Sequence, residues 1–331
     1  MAQSVGWGIL GTARIATRVG AAINRAEHST LQAIGSRNAD RAADWANEHG
    51  AMRSYDSYEA VLDDPQVDAV YIPLPPSMHH EWTLKAVARG KHVLCEKPLA
   101  ATVADAEEMA AASREYGVQL MDGVMWLHHP RAADMQRLIR GGRLGELRRL
   151  TSAFSFRWAT IPTGDLRLNR QLGGGSLLDL GWYCVGAALW ALEDMPTHVV
   201  GHATWYKDVD MNFSGTMWYE NGAVASFDTA FDTVMRRWLE VAGTESSLVC
   251  DDFTRPYSEE KVRCWIHNPD GASDEHKSDS PNQETCMIGN FNRLVLSGKT
   301  DEHWPSIAVQ TQRICDALDR SARSRRPVDL L

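Results

Sequence analysis

From its start to about residue 125, the chain alternates short apolar runs with stretches whose apolar residues recur every three or four positions. Val5 to Leu10 reads as a strand. Residues 15–26 read as a helix with Ile15, Val19, Ala22 and Ile23 along one side. The rhythm continues with strand 31–35 and helix 39–48, strand 68–72 and helix 81–88, strand 92–95 and helix 102–116, then strand 118–121. Strands separated by helices in this way imply right-handed βαβ crossovers and a doubly wound, mostly parallel sheet of Rossmann type.

The pattern changes after a helix near 131–139 that ends at Gly141-Gly142. Strand-like runs then follow at 149–158, 197–206, 211–218, 223–231, 236–241 and 246–250, with Glu220-Asn221-Gly222 as a hairpin turn. One helix, 176–191, interrupts them, 270–283 reads as an exposed polar loop, and helices at 284–296 and 306–324 close the chain. The expected architecture is an α/β dinucleotide-binding domain over 1–125 and an α+β domain over 126–331 with a large, mostly antiparallel open sheet. The last helix is expected to pack back on the first domain. A length of 331 residues suits two domains.

Composition narrows the function classes. Asp plus Glu is 43 against 34 Lys plus Arg, a net charge of −9 that argues against a nucleic-acid or anionic-membrane surface. No apolar run is read as approaching a membrane span, and Met1-Ala2-Gln3-Ser4-Val5 lacks the basic segment of a signal peptide. Six cysteines without a C-x-x-C motif point to reduced thiols in a cytoplasm. Twelve tryptophans suit core filling, a carbohydrate pocket or a subunit interface.

Three places carry candidate chemistry. Gly11, Thr12, Ala13, Arg14 and Ile15 lie where the first strand turns into the first helix, with small residues at Gly11, Ala13 and Ala16. Backbone N–H groups and a helix N-terminus there would face a pyrophosphate. A tight turn also wants small residues; its position in the first βαβ unit favours the nucleotide reading. The second strand ends in Ser36-Arg37 rather than Asp or Glu, so a hydroxyl and a guanidinium stand where a 2′-phosphate would need them. This favours NADP over NAD. Cys95-Glu96-Lys97-Pro98 ends the fourth strand, on the edge where doubly wound sheets bind ligands, with Pro98 a candidate cis peptide.

Gly11-Thr12-Ala13, Pro75-Pro76-Ser77-Met78-His79, Glu96-Lys97-Pro98 and Gly173-Gly174-Gly175-Ser176-Leu177-Leu178-Asp179-Leu180-Gly181-Trp182-Tyr183 stand in one order along nearly the whole chain. In this the chain resembles the Gfo/Idh/MocA family of NAD(P)-dependent sugar oxidoreductases. The resemblance implies Lys97 as the catalytic lysine, with Asp179 and Tyr183 in the two chemical positions of an Asp-x-Gly-x-His pattern. It also implies cofactor contacts at Leu74, Pro75, His79, Glu96 and Lys97. Tyr183 stands where many members carry His. That departure resembles the branch of dimeric dihydrodiol dehydrogenase, NADP-dependent D-xylose 1-dehydrogenase and glucose–fructose oxidoreductase, which Ser36-Arg37 and Tyr71-Ile72-Pro73-Leu74-Pro75 also suit.

The spacing of Asp179 and Tyr183 puts both on one helical face, and Ser176 is a candidate N-cap. The expected reaction moves a hydride between nicotinamide and a carbinol or carbonyl of a sugar, polyol or trans-dihydrodiol. Tyr183 serves as acid/base, Lys97 stabilises its phenolate, and Asp179 orients a neighbouring hydroxyl. A free phenol titrates near ~10, so the lysine cation has to lower it, each unit corresponding to about 1.4 kcal/mol. Candidate substrate contacts are Trp126, Phe154, Phe156, Arg157 and Asp165, besides Asp179 and Tyr183. No metal is expected: His79-His80 and His128-His129 are adjacent pairs without i, i+4 partners. Alternatives are a glycoside-cleaving enzyme working by transient oxidation, a glucose–fructose-type enzyme with trapped cofactor, and a non-catalytic NADP or sugar sensor. Trp205, Trp218, Trp238 and Trp265 are expected to face a subunit interface on the open sheet, making a homodimer or dimer of dimers.

Overall fold

The computed structural model describes residues 4–256 and 259–330; Met1–Gln3, which carried part of the signal-peptide reading, lie outside them. The chain divides by contact into two compact units, one comprising residues up to His128 plus Pro281–Val309, the other His129–Ser280 plus Gln310 onward. The segment 281–309, read from sequence as part of the second domain, therefore groups with the first.

The first unit is a six-stranded, wholly parallel sheet in the order β3-β2-β1-β4-β5-β6. Its strands are β1 (Val5–Leu10), β2 (Ser29–Gly35), β3 (Arg53–Tyr55), β4 (Ala69–Ile72), β5 (His92–Cys95) and β6 (Leu120–Asp122). Its helices are α1 (Arg14–Arg25), α2 (Ala39–His49), α3 (Tyr58–Asp63), α4 (Pro76–Val87) and α5 (Val103–Glu115). Strand β1 is buried at every position, as a central parallel strand covered on both faces must be. The edge strand β3 is three residues long and only half buried, too short to print a pattern on the sequence, which is why it was not expected. Helix α4 starts earlier than read, with Pro76 in its first turn. Helix α8 (Gln283–Leu296) returns to this unit: Trp7 Nε1 donates to Asn292 Oδ1 at 2.9 Å, and Trp7 meets Phe291 at 5.0 Å between ring centroids.

The second unit begins with α6 (Pro130–Arg140), N-capped by His129. It continues into a nine-stranded sheet in the order β14-β13-β12-β11-β7-β10-β9-β8-β15. These strands are β7 (Leu147–Arg157), β8 (His198–Tyr206), β9 (Val209–Trp218), β10 (Val224–Ala230), β11 (Asp232–Gly243), β12 (Ser247–Cys250), β13 (Arg263–His267), β14 (Ser273–Lys277) and β15 (Val328–Asp329). All pairings are antiparallel except β7 with β10. The β9–β10 hairpin turns at the expected Gly222, which has φ +83°. The expected loop 270–283 contains β14, a charged and exposed edge strand, the composition that protects an edge from further pairing.

Between β7 and β8 a π-helical turn (Leu177–Gly181) leads into α7 (Trp182–Leu192), apolar nearly all round and mostly buried. By length and composition only, Arg170–Leu192 contains an 18-residue window apolar enough to cross a membrane; 72% of that window is buried inside the structure, as in a core helix. Helix α9 (His303–Ser324) belongs to the second unit from Gln310 on, where Gly201 N donates to Ser321 Oγ on it, rather than packing wholly on the first.

Register places Trp218, Trp238 and Trp265 on one face of the large sheet. Trp205 is different: it lies an odd number of positions along β8 from His198, which pairs with Trp218, so strand alternation puts it on the opposite face, where the Arg323 guanidinium of α9 sits 4.1 Å over its ring. The tryptophan face therefore has three members, not four.

Candidate active site

In the first unit the loops at the carboxyl ends of β1, β2, β4 and β5 hold the expected cofactor residues. Gly11 has φ +107°, and a Cβ there would stand 3.1 Å from Leu74 Cδ2 and 3.6 Å from Tyr58 Oη. Helix α1 begins at Arg14, and its N-cap Ala13 offers no side-chain acceptor; of the first-turn N–H groups, Ala16 N turns back to Ala13 O at 2.8 Å. Ser36 is buried at the end of β2, and its Oγ accepts from Asn38 N at 3.3 Å. Arg14, Arg37 and Arg41 are exposed. These features fit a dinucleotide: an uncapped helix start for a pyrophosphate and guanidinium groups beside β2 for a further phosphate.

His79 is placed differently from expectation. It is fully buried, with Nε2 2.7 Å from Leu74 O and Nδ1 3.0 Å from Pro98 O. Burial holds its pKa below the ordinary value, against the pull of the Leu74, Pro98 and Leu99 carbonyls. Both ring nitrogens are thus engaged by backbone, and His79 braces the β4 and β5 loops instead of reaching a nucleotide. Lys97 and Pro98 are joined by a cis peptide. Glu96 accepts from Tyr71 Oη at 2.6 Å, and Lys97 is partly exposed beside it. Leu74 and Pro75 are partly exposed, whereas Trp126 is 2% exposed, a packing residue. Among the described residues no three His, Cys, Asp or Glu side chains gather as a metal site.

In the second unit, Asp179 lies in the π-helical turn and Tyr183 in the first turn of α7, where a continuous α-helix was expected. The wider turn, a form frequent at functional sites, still brings both to one place. Tyr183 meets Phe154 edge-on at 5.4 Å, while Asp179 Oδ2 accepts from Arg167 Nε at 2.8 Å. The Arg167 guanidinium lies 5.9 Å over Phe156 and also donates through Nη1 to Asp165 Oδ2 at 3.1 Å. Burial opposes the charge of Arg167, but Asp179 and Asp165 overcome it and hold the pKa above the ordinary value. Phe154, Phe156, Asp165, Asp179 and Tyr183 are therefore brought together. Arg157 is exposed, and strand alternation turns it away from the two Phe rings, so it leaves the pocket set.

Two residues of this cluster escaped the sequence reading. Arg167 sits in an irregular stretch with no periodicity. Asp210 is a buried acid between Val209 and Met211, and that apolar flanking was its only signal. Ser176 does not cap as expected: it is itself helical, and its Oγ donates to Asp210 Oδ2 at 2.7 Å.

Comparison with known proteins agrees with this layout. Residues 5–124 match the family model described as oxidoreductase family, NAD-binding Rossmann fold, and residues 132–249 match the GFO/IDH/MocA C-terminal domain. The chain is 35% identical to an NADP(+) D-xylose 1-dehydrogenase of Haloferax volcanii, over 98% of this chain and 99% of that one. It is 32% identical to a dTDP-3,4-didehydro-2,6-dideoxy-alpha-D-glucose 3-reductase of Actinomadura kijaniata, over 96% and 95%. The solved aldose-aldose oxidoreductase of Caulobacter crescentus, complexed with glycerol, superposes with a TM-score of 0.90 at 28% identity, covering 99% of this chain and 100% of the other. The chain belongs to the Gfo/Idh/MocA family of oxidoreductases.

Proposed function

We propose that this protein is an NADP-preferring dehydrogenase or reductase of a pyranose or a related cyclic polyol. The observation that carries the reading is the second-unit cluster: a phenol against an aromatic wall, next to a carboxylate held by a guanidinium. Flat rings suit the C–H faces of a sugar, and the ion-paired carboxylate suits its hydroxyls. When bound, the nicotinamide supplies hydride chemistry.

The chain's own residues do the rest. Tyr183 Oη takes the carbinol proton in oxidation and returns it in reduction. Lys97 is assigned the assisting role in this proton transfer, as a cation of the nucleotide-binding unit. Asp179, paired with the Arg167 guanidinium, accepts from a neighbouring hydroxyl and fixes the sugar's orientation. Ser36 and Arg37 take the 2′-phosphate, and Gly11, Thr12, Ala13, Arg14 and Ile15 the pyrophosphate.

NADP-dependent sugar oxidation by the D-xylose 1-dehydrogenase relative supports the cofactor and substrate class. The test is purified protein with NADP or NAD against D-xylose, other aldoses, inositols and a trans-dihydrodiol, following absorbance of the reduced cofactor. NADP-linked turnover of an aldose is expected. Tyr183→Phe and Lys97→Met are expected to abolish it while NADP still binds. Wild-type rates from either variant, or turnover with NAD alone, would sink the reading.

A further inference from the structure

The turn that carries Asp179 and Tyr183 is held by a carboxylate from another strand. Asp210, the second residue of β9, is 6% exposed. Its Oδ2 accepts from Ser176 Oγ at 2.7 Å and from Leu177 N at 2.7 Å. Ser176 Oγ lies 3.2 Å from Thr229 Oγ1 of β10. Its Oδ1 faces Gly175, which has φ +113°; a Cβ there would stand 2.1 Å from that oxygen. Asp210 thus does what an N-cap side chain does, taking an orphan N–H at the positive end of the helical turn. Two residues on, Asp179 N donates to Gly175 O at 3.1 Å. The backbone that carries Asp179 is tied to the residues Asp210 grips.

We infer that Asp210 is a positioning residue for the proton transfer, fixing the Gly173–Ser176 turn and with it where Asp179 and Tyr183 are presented. This rests on the reading of Tyr183 and Asp179 given above. Burial is unfavourable to the carboxylate and pushes it up to about 6, although Ser176 and Leu177 pull it down. The groups facing it are Ser176 and Leu177 of the turn, Thr229 of β10, and Asp319 and Cys315 of α9. Asp319 is itself paired with Arg170 and Arg323. Protonation weakens a charge-assisted grip to a neutral one while Asp210 stays buried, so the turn loosens locally as pH falls through about 6, although the fold as a whole is not destabilised by that proton.

The experiment compares the full-length wild type with Asp210→Asn, Ser176→Ala and Tyr183→Phe. Hydrogen exchange of the 176–183 amides, corrected for intrinsic rates, is read across about pH 5 to 8 and needs no substrate. Steady-state rates use NADP with D-xylose as probe. In the wild type, exchange is expected to quicken below about pH 6. In Asp210→Asn it is expected to be about tenfold faster at every pH, with kcat about tenfold lower, KM within about threefold, and no inflection. Ser176→Ala, which keeps the Leu177 bond, should show the same changes about threefold weaker. Wild-type exchange in Asp210→Asn, or an inflection that survives it, overturns the inference. Turnover surviving in Tyr183→Phe overturns the base assignment instead, and the exchange result stands apart from it.

Discussion

Arg167 answers two carboxylates at once, and its charge decides what Asp179 is able to do. With Arg167 in place Asp179 is an acceptor held by a guanidinium; without it, a half-buried carboxylate loses its counter-charge. Arg167→Met is expected to lower kcat/KM by about 10- to 100-fold, the scale of a hydrogen bond to a charged group. An unchanged kcat/KM would assign Arg167 to packing alone. At the other ligand, Arg37→Ala is expected to weaken NADP binding by about 10- to 100-fold and leave NAD binding nearly unchanged, read by fluorescence titration. Equal loss for both nucleotides would remove the 2′-phosphate assignment.

At the scale of elements, the π-helical turn and the glycine run before it are local departures that only a tertiary partner stabilises. Asp210 is raised from 3.8 to about 6 in the folded state, so as pH climbs the unfolded chain releases this proton first. The stability Asp210 contributes is therefore largest below pH 3.8, declines between there and about 6, and stays lower above. Two units correspond to about 3 kcal/mol, an order-of-magnitude figure. Asp210→Asn should consequently melt no lower than wild type near about pH 7 while losing activity. A clear fall in melting temperature by calorimetry would make Asp210 a purely structural residue. Gly175→Ala, in contrast, forces a side chain onto a left-handed backbone and into Asp210. It is expected to destabilise by about 1–3 kcal/mol in urea unfolding.

On the scale of the molecule, the large sheet packs α7 and the later turns of α9 on one face and leaves Trp218, Trp238 and Trp265 half-exposed on the other. His198 stacks on Trp218 at 4.8 Å, and the Arg263 guanidinium sits 4.6 Å from the Trp265 ring; the same register puts Thr151, Ser226, Asp228 and Glu240 beside them, so the tryptophans stand on a mixed, largely polar face. Aromatic residues are enriched in subunit interfaces, and we propose a homodimer or dimer of dimers formed through the face that carries these three half-exposed tryptophans. Light scattering at about 10 µM should give at least a dimer, and Trp238→Glu with Trp265→Glu should give monomers. All six cysteines are free.

What the sequence determined by itself is whatever has a period or a local motif. The alternation of strands and helices up to residue 125, the hairpin at Gly222 and the tight turn at Gly11 were legible because neighbours in sequence write them, whereas Lys97, Asp179 and Tyr183 became candidates through the resemblance to a family. Three-residue β3 and the charged β14 were not, since edge strands borrow their conformation from a partner. The tertiary structure alone decided which distant groups meet. Asp210 grips Ser176 across 34 positions, Arg167 reaches Asp179 across 12, and Asn292 binds Trp7 across 285. A buried acid or a loop arginine looks the same in sequence whether or not a partner waits for it. Its burial and its partner, and so its charge and its role, come into being only when the chain closes.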